Sequence, residues 1–405
     1  MGRSGWRLGT RHRNRLVIAS MVLIAALVVF GGCARNRNAS TQSWSGVAIE
    51  EDSAFVGTKD GRVVQIRLLD VGGETVAQLG ETFGPPEVDQ ASIAPAFYGT
   101  PTLLDGRLYA GSYHGVAYSM RAIAGGDGIG VLGNVREFAV DGNPLAQGIA
   151  GSVVPAGGAI VIAASEDAEA GRLYVLEADG LVERCRYPEV EPIGQLWTTP
   201  TVVDGVAYFG DLSHRVHAVS IADCQLVWNA PAELGGAIVA PPLVLGNKLY
   251  LGAFDRWFYA VDRSTGAVEE LFTADGWFWA RAATDGRRIY APSLDGVLYA
   301  YDVRNRSVAW MYDQEGNPEP ILSAPAMIGD MIGDNVVMAS DSGTVTLLSA
   351  EGIRLDSQLV RGGEVRAPIT VRDDLVYVHS LDGVVTALRV AGTALVQEWT
   401  LDVSD

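Results

Sequence analysis

His214 and His217 stand three residues apart in the stretch SHRVH, and imidazole is a common metal ligand. On a strand, residues three apart project from opposite faces, so this spacing suits packing better than a shared ion. Cys185 and Cys224 offer a second chemistry. In an oxidising compartment they pair, or they remain two small buried side chains; sequence alone does not bring their Cα atoms into bonding range. The third concentration is aromatic and cationic: FDRWFYAV at 254–261 and GWFWAR at 276–281. Trp257, Trp277 and Trp279, with Arg256 and Arg281 beside them, are residue types that dominate interface hot spots; the same tryptophans also suit the wide outer part of a sheet. There is no CxxC, no HExxH and no pair of adjacent cysteines, and GDGIG at 126–130 has no helix to open. His114 takes the place of a turn aspartate in YHGVAY, which reads as a solvated turn.

The elements that carry these residues repeat. The phrase LDGVLYAYD at 294–302 has a counterpart in eight places, marked by Gly61, Gly115, Gly171, His214, Arg256, Gly296, Gly343 and Gly383, at spacings of 40 to 56 residues. Three residues later stand Val64, Tyr118, Tyr174, His217, Tyr259, Tyr299, Thr346 and Thr386, which marks His217 as a packing residue. A hydrophobic strand led by a tight turn precedes each phrase, as in DGRLYAGS from Asp105 and DGVAYFGD from Asp204. Asp-Gly and Gly-Asn form hairpins because positive φ is cheap at Gly and Asn. A third strand before that turn carries Pro101, Pro200, Pro241, Pro325 or Pro368, and proline belongs on an edge strand because it cannot donate to a ladder. A fourth follows the phrase, clearest in TGAVEELF from Thr265 and RSVAWMYD from Arg306. Three residues before the prolines stand Tyr98, Trp197, Ile238, Leu322 and Val365, with Phe278 where Arg281 replaces proline. That column is expected to pack between sheets, with Trp277 and Trp279 facing the other way.

A four-stranded sheet cannot bury both faces alone, and a β-rich period of this size means propeller blades. The expected fold is all-β: an eight-bladed β-propeller of four-stranded antiparallel blades over 44–405. Whether the first strand completes the last sheet is not readable. Two long connections interrupt the pattern, 80–97 and 124–148.

Of 405 residues, 48 are glycine, 48% are apolar and 19% are charged. Residues 1–32 hold five arginines and no acid, then the apolar run LVIASMVLIAALVVF ending in GGC. This resembles a bacterial lipoprotein signal, with Cys33 as the lipidated residue and 33–43 as a polar tether; the alternative is an uncleaved anchor near the lower length limit for a spanning helix. Either places the remainder outside the cytoplasm. Without the signal, 25 basic residues face 48 acidic ones, a formal net charge of −23, which disfavours nucleic acid and anionic lipid surfaces as partners.

The stretches GVLYAYDVRNRSVAW and RWFYAVDRSTGAVEEL resemble the PQQ-type propeller repeat. Copy four departs from it, with Ser220 for the aspartate and Cys224 for the glycine. Two groups share this repeat. Quinoprotein dehydrogenases hold pyrroloquinoline quinone and calcium, and many set two adjacent cysteines over the cofactor. BamB-like proteins are eight-bladed lipoproteins that bind partners in outer-membrane protein assembly and carry no cofactor. Length, lipoprotein start and copy number are similar to the second group. The resemblance therefore implies a non-catalytic, lipid-anchored, monomeric scaffold for envelope proteins, without cofactor or metal. The alternatives are a quinone-dependent dehydrogenase and a propeller that stacks glycans on its aromatic clusters.

Overall fold

The structure is a computed structural model and describes residues 44–84, 96–124, 130–139, 148–167, 169–314, 318–330 and 333–404. The signal segment 1–32, the tether 33–43 and Cys33 lie outside the described residues. Among the described residues there are thirty-two strands in eight four-stranded sheets, and each sheet uses four consecutive strands in order. The blades span 48–83, 102–138, 154–187, 201–233, 243–273, 283–313, 326–359 and 370–402.

Blade 6 shows why the sequence takes this form. Its third strand, Val297–Asp302, is buried on both faces, so its residues read as a nearly continuous apolar run. Its fourth strand, Ser307–Asp313, alternates exposed and half-buried residues, because it is the outer edge and packs on one side only. The turn between the second and third strands needs a left-handed residue. Gly296 supplies it at φ 84°, and His214 and Arg256 adopt φ 70° and 75° at the same place without being glycine. Gly171 departs from this pattern. It is already in a strand of blade 3, and an added Cβ there would meet the Gly194 carbonyl oxygen at 2.6 Å. Its reason for being glycine is close packing, not turn geometry.

Eight apolar clusters fill the eight gaps between neighbouring blades. The one that closes the ring joins Val47, Val56 and Val64 of the first copy to Tyr377, Val385 and Trp399 of the last. Among the described residues, no strand is exchanged between the ends. Closure is by face packing, with Thr370 donating to the Val47 carbonyl at 2.7 Å and His379 Nδ1 donating to the Ser45 carbonyl at 2.8 Å.

Two tryptophans dock each on the following blade. Trp228 Nε1 donates to the Arg263 carbonyl at 2.8 Å, and Trp310 Nε1 to the Ala350 carbonyl at 2.9 Å. Their rings lie against Gly266 and Gly352, where a Cβ would come within 2.9 Å and 2.6 Å of the indole. Cys185 and Cys224 are joined across the gap between blades 3 and 4, with Cα atoms 5.9 Å apart. The segment 124–148, read as a long connection, contains the fourth strand of blade 2, Gly130–Phe138. Its glycine-rich start concealed a strand; residues 126–129 of GDGIG lie outside the described residues.

Candidate site at the mouth of the central channel

The first strands of the blades line the axis of the ring. The segment entering each one alternates, residue by residue, between packing into the blade and facing the channel. The packing set is Phe97, Ile149, Leu196, Ile238, Phe278, Ile321 and Val365, all 0–1% exposed. The next residue in each copy faces the channel: Trp44, Tyr98, Ala150, Trp197, Val239, Trp279, Leu322 and Arg366. This corrects the sequence-based column. Tyr98, Trp197 and Leu322 face the channel, whereas Ile238, Phe278 and Val365 pack. The prolines caused the slip: Pro101, Pro200 and Pro325 directly precede their strands or first strand residues, while Pro241 and Pro368 stand one residue earlier.

Two residues further along, Thr100, Ser152, Thr199, Pro241, Arg281, Ala324 and Pro368 line the channel, and Gly46 holds the same place in the first copy. Here the strands converge and the side chains are small. Three hydrogen bonds join four of them in series: Gly46 N–H to Thr100 Oγ1 at 3.1 Å, Thr100 N–H to Ser152 Oγ at 3.0 Å, and Ser152 N–H to Thr199 Oγ1 at 2.9 Å. Arg281 is the one long side chain in this ring of positions. The cavity they enclose has a volume of about 660 Å³.

An arc of stacked rings crosses the mouth. Tyr113 meets Tyr98 edge-on at 4.9 Å, Tyr98 meets Trp44 at 4.4 Å, and Trp44 meets Trp279 edge-on at 6.3 Å. Phe254 stacks on Trp279 at 5.9 Å and on Trp277 at 4.9 Å. Blades 1 and 6 are not neighbours, so the Trp44–Trp279 contact spans the channel.

Trp277, Trp279 and Arg281 are thus brought to one end of the ring. Trp257, at the same end, does not join them: it packs against the apolar cluster between blades 4 and 5, which includes Tyr208, Trp228 and Leu251. Arg256 is an exposed turn residue outside the cavity. Trp44, Tyr98 and Trp197 are site residues that the sequence reading missed; for Tyr98 and Trp197, their place one residue after the buried Phe97 and Leu196 was the available signal.

His217 and His114 are packing residues. His217 is fully buried, stacks on Phe209 at 5.0 Å, and shares a 3.0 Å hydrogen bond with Asp211 Oδ2. Burial holds its pKa below the ordinary histidine value against the pull of Asp211. Burial opposes ionisation of Asp211, yet the His217 hydrogen bond and the Arg215 contacts leave its pKa lowered. The imidazole is therefore neutral, donates from Nε2, and accepts from the Tyr187 hydroxyl at Nδ1, 3.3 Å away. His114 is buried rather than solvated and contacts the Tyr118 hydroxyl at 3.0 Å.

Among the described residues, no aspartate, glutamate, asparagine or cysteine lines the cavity, so its wall lacks the carboxylates that calcium sites draw on. Among the described residues, no group of three or more His, Cys, Asp or Glu could hold a metal ion.

The sequence profile of the family described as outer membrane protein assembly factor BamB matches residues 181–269 and 258–405, more than half of the chain. The chain belongs to this family. The BamB proteins of Alkalilimnicola ehrlichii and Salmonella typhimurium are each 25% identical to it, over 202 and 214 residues. These alignments cover 47% and 52% of this chain and 51% and 48% of the relatives, so the chain spans about half the length of the curated relatives it matches. The crystal structure of BamB from Moraxella catarrhalis superposes with a TM-score of 0.64 at 16% identity, covering 85% of this chain and 96% of that one, which establishes the shared fold.

Proposed function

We propose that this BamB-family chain is a lipid-anchored, extracytoplasmic scaffold that docks other envelope proteins during outer-membrane protein assembly and catalyses no reaction itself. The observation that carries this reading is the family match over 181–405 on a ring closed by eight apolar gaps. Every blade is buried against two others, so the ring is rigid and presents its loops as a fixed surface. Its docking face is the end bearing the aromatic arc, where Phe254, Trp277 and Trp279 stand beside Arg256 on one rim. Rigid aromatic side chains with an arginine nearby are the composition of binding hot spots. Anchorage is through Cys33.

A photo-crosslinking residue placed at Trp277 in the full chain, expressed in its own envelope, tests the docking face. Asp105, in an exposed turn at the opposite end of blade 2, is the control position. Crosslinks to a component of outer-membrane assembly from position 277 and not from 105 support the reading. Equal capture from both positions, or none from either, overturns it. Loss of folded outer-membrane barrels on depletion of the chain tests the assembly role separately.

A further inference from the structure

The cavity at the channel mouth has a charge character opposite to that of the whole chain. The protein carries 48 acidic and 30 basic residues, yet among the described residues no acid lines the cavity and two arginines do. Arg366 is tied down by Asp341 at 3.0 Å and by Glu364 at 2.7 Å. Arg281 is not. Among the described residues, no hydrogen bond or ion pair engages its side chain. Its side chain is exposed where it lines the cavity, so the guanidinium is open to an incoming anion, while the neighbouring walls lower its pKa from the ordinary guanidinium value. An unpaired guanidinium facing a cavity without acids offers an anion a charge-assisted contact.

The same cavity is lined by Trp44, Tyr98, Trp197 and Trp279. Its volume of about 660 Å³ falls within the usual range for organic-ligand sites, roughly 300–1,000 Å³. One free guanidinium matches one negative charge, and its planar fork matches the two oxygens of a carboxylate.

We propose that the channel mouth is a binding site for an aromatic carboxylate, with the carboxylate held by Arg281 and the ring seated among the channel-facing indoles. A free aromatic acid and the C-terminal residue of a peptide both carry this chemistry. The site stands independently of the docking role, since it rests on the cavity and not on the family.

Calorimetric titration of the full chain tests it with three probes: indole-3-propionate, an N-acetylated tripeptide ending in phenylalanine with a free carboxylate, and the same tripeptide as its C-terminal amide. At least one acid is expected to bind saturably at one site, with the Arg281→Gln variant weakening it tenfold or more. The Arg304→Gln variant, altered in an exposed turn at the opposite end of blade 6, is expected to bind as the unmodified chain does. If only indole-3-propionate binds, the ligand is a small free acid. If the peptide acid binds at least tenfold more tightly than its amide, a chain terminus is accepted. Either result supports the site. The proposal is overturned if neither acid binds, if the peptide acid binds no more tightly than its amide and indole-3-propionate does not bind, or if Arg281→Gln leaves binding of the acids unchanged. Should Arg281→Gln fail to fold, the acid and amide titrations of the unmodified chain decide.

Discussion

Tyr299 donates its hydroxyl to Asp295 Oδ2 at 2.8 Å, closing a loop across the turn that begins the third strand of blade 6. The same pairing joins Tyr259 to Asp255, and His114 replaces the acid opposite Tyr118. The Asp295 carboxylate also accepts backbone N–H groups from Asp275 at 2.9 Å, Gly276 at 3.1 Å and Val297 at 3.0 Å. Burial, and then the bond to Asp295, push the Tyr299 pKa above the usual phenol range. The chemistry of the repeated phrase is thus a polar tie between a turn and the segment leading into its own blade.

Replacing the acid should therefore cost more than replacing the phenol. Tyr299→Phe is expected to lower stability by about 1 kcal/mol and Asp295→Ala by about 2–3 kcal/mol, since it orphans several N–H donors. Thermal unfolding of both variants measures this. Equal losses would show that the backbone bonds to Asp295 contribute nothing.

Gly266 and Gly286 separate backbone strain from close packing. Both have positive φ, 75° and 85°, but only Gly266 lies against an indole; nothing stands within 4 Å of a Cβ at Gly286. Gly286→Ala carries strain alone, on the order of 1 kcal/mol. Gly266→Ala adds a clash with Trp228 and is expected to be worse by a further 1–3 kcal/mol or so. Denaturant midpoints of the two variants give the difference, which vanishes if the Trp228 docking is loose.

The Cys185–Cys224 disulfide closes a sequence separation of 39 residues across one blade gap. Its reduction is expected to remove about 2–4 kcal/mol. Melting with and without a thiol reductant, on the unmodified chain and on Cys185→Ser, tests this. The reductant should lower the melting temperature of the first and leave the second unchanged.

His379 gives the ring closure a pH dependence. It is fully enclosed, donates from Nδ1 to Ser45, and has no partner for Nε2 among the described residues; burial lowers its pKa below 6.5. His217 and His114 are shifted in the same direction. A histidine with a lowered folded-state pKa binds more protons when unfolded. Its contribution to stability is complete above pH 6.5, the unfolded value, and is lost as pH falls below it towards the lower folded value. Stability should therefore fall between neutral pH and pH 5, and His379→Gln should flatten that slope. A slope unchanged in the variant would assign the effect to other groups.

Much of the architecture was legible because its signals are local. Alternating apolar strands, Asp-Gly turns and the eightfold phrase depend on neighbours a few residues away, and the blades follow the copies, including those where His214 and Arg256 replace the turn glycine. The site was only partly legible. Trp277, Trp279 and Arg281 were singled out and do meet at one rim. Trp257 was grouped with them by proximity in sequence, but its strand directs it into the gap between blades 4 and 5.

By itself, the sequence determined the all-β frame, the number of blades and the aromatic enrichment near blade 6, since each is written in short-range pattern. Tertiary structure decided which residues face the channel. Successive strand residues point to opposite sides, so the one-residue ambiguity in the proline mark reversed Tyr98 and Trp197 from packing to lining. Closure of the ring then set Trp44 against Trp279 and, among the described residues, left Arg281 without an acid partner; those relations exist only once blades far apart in sequence share an axis.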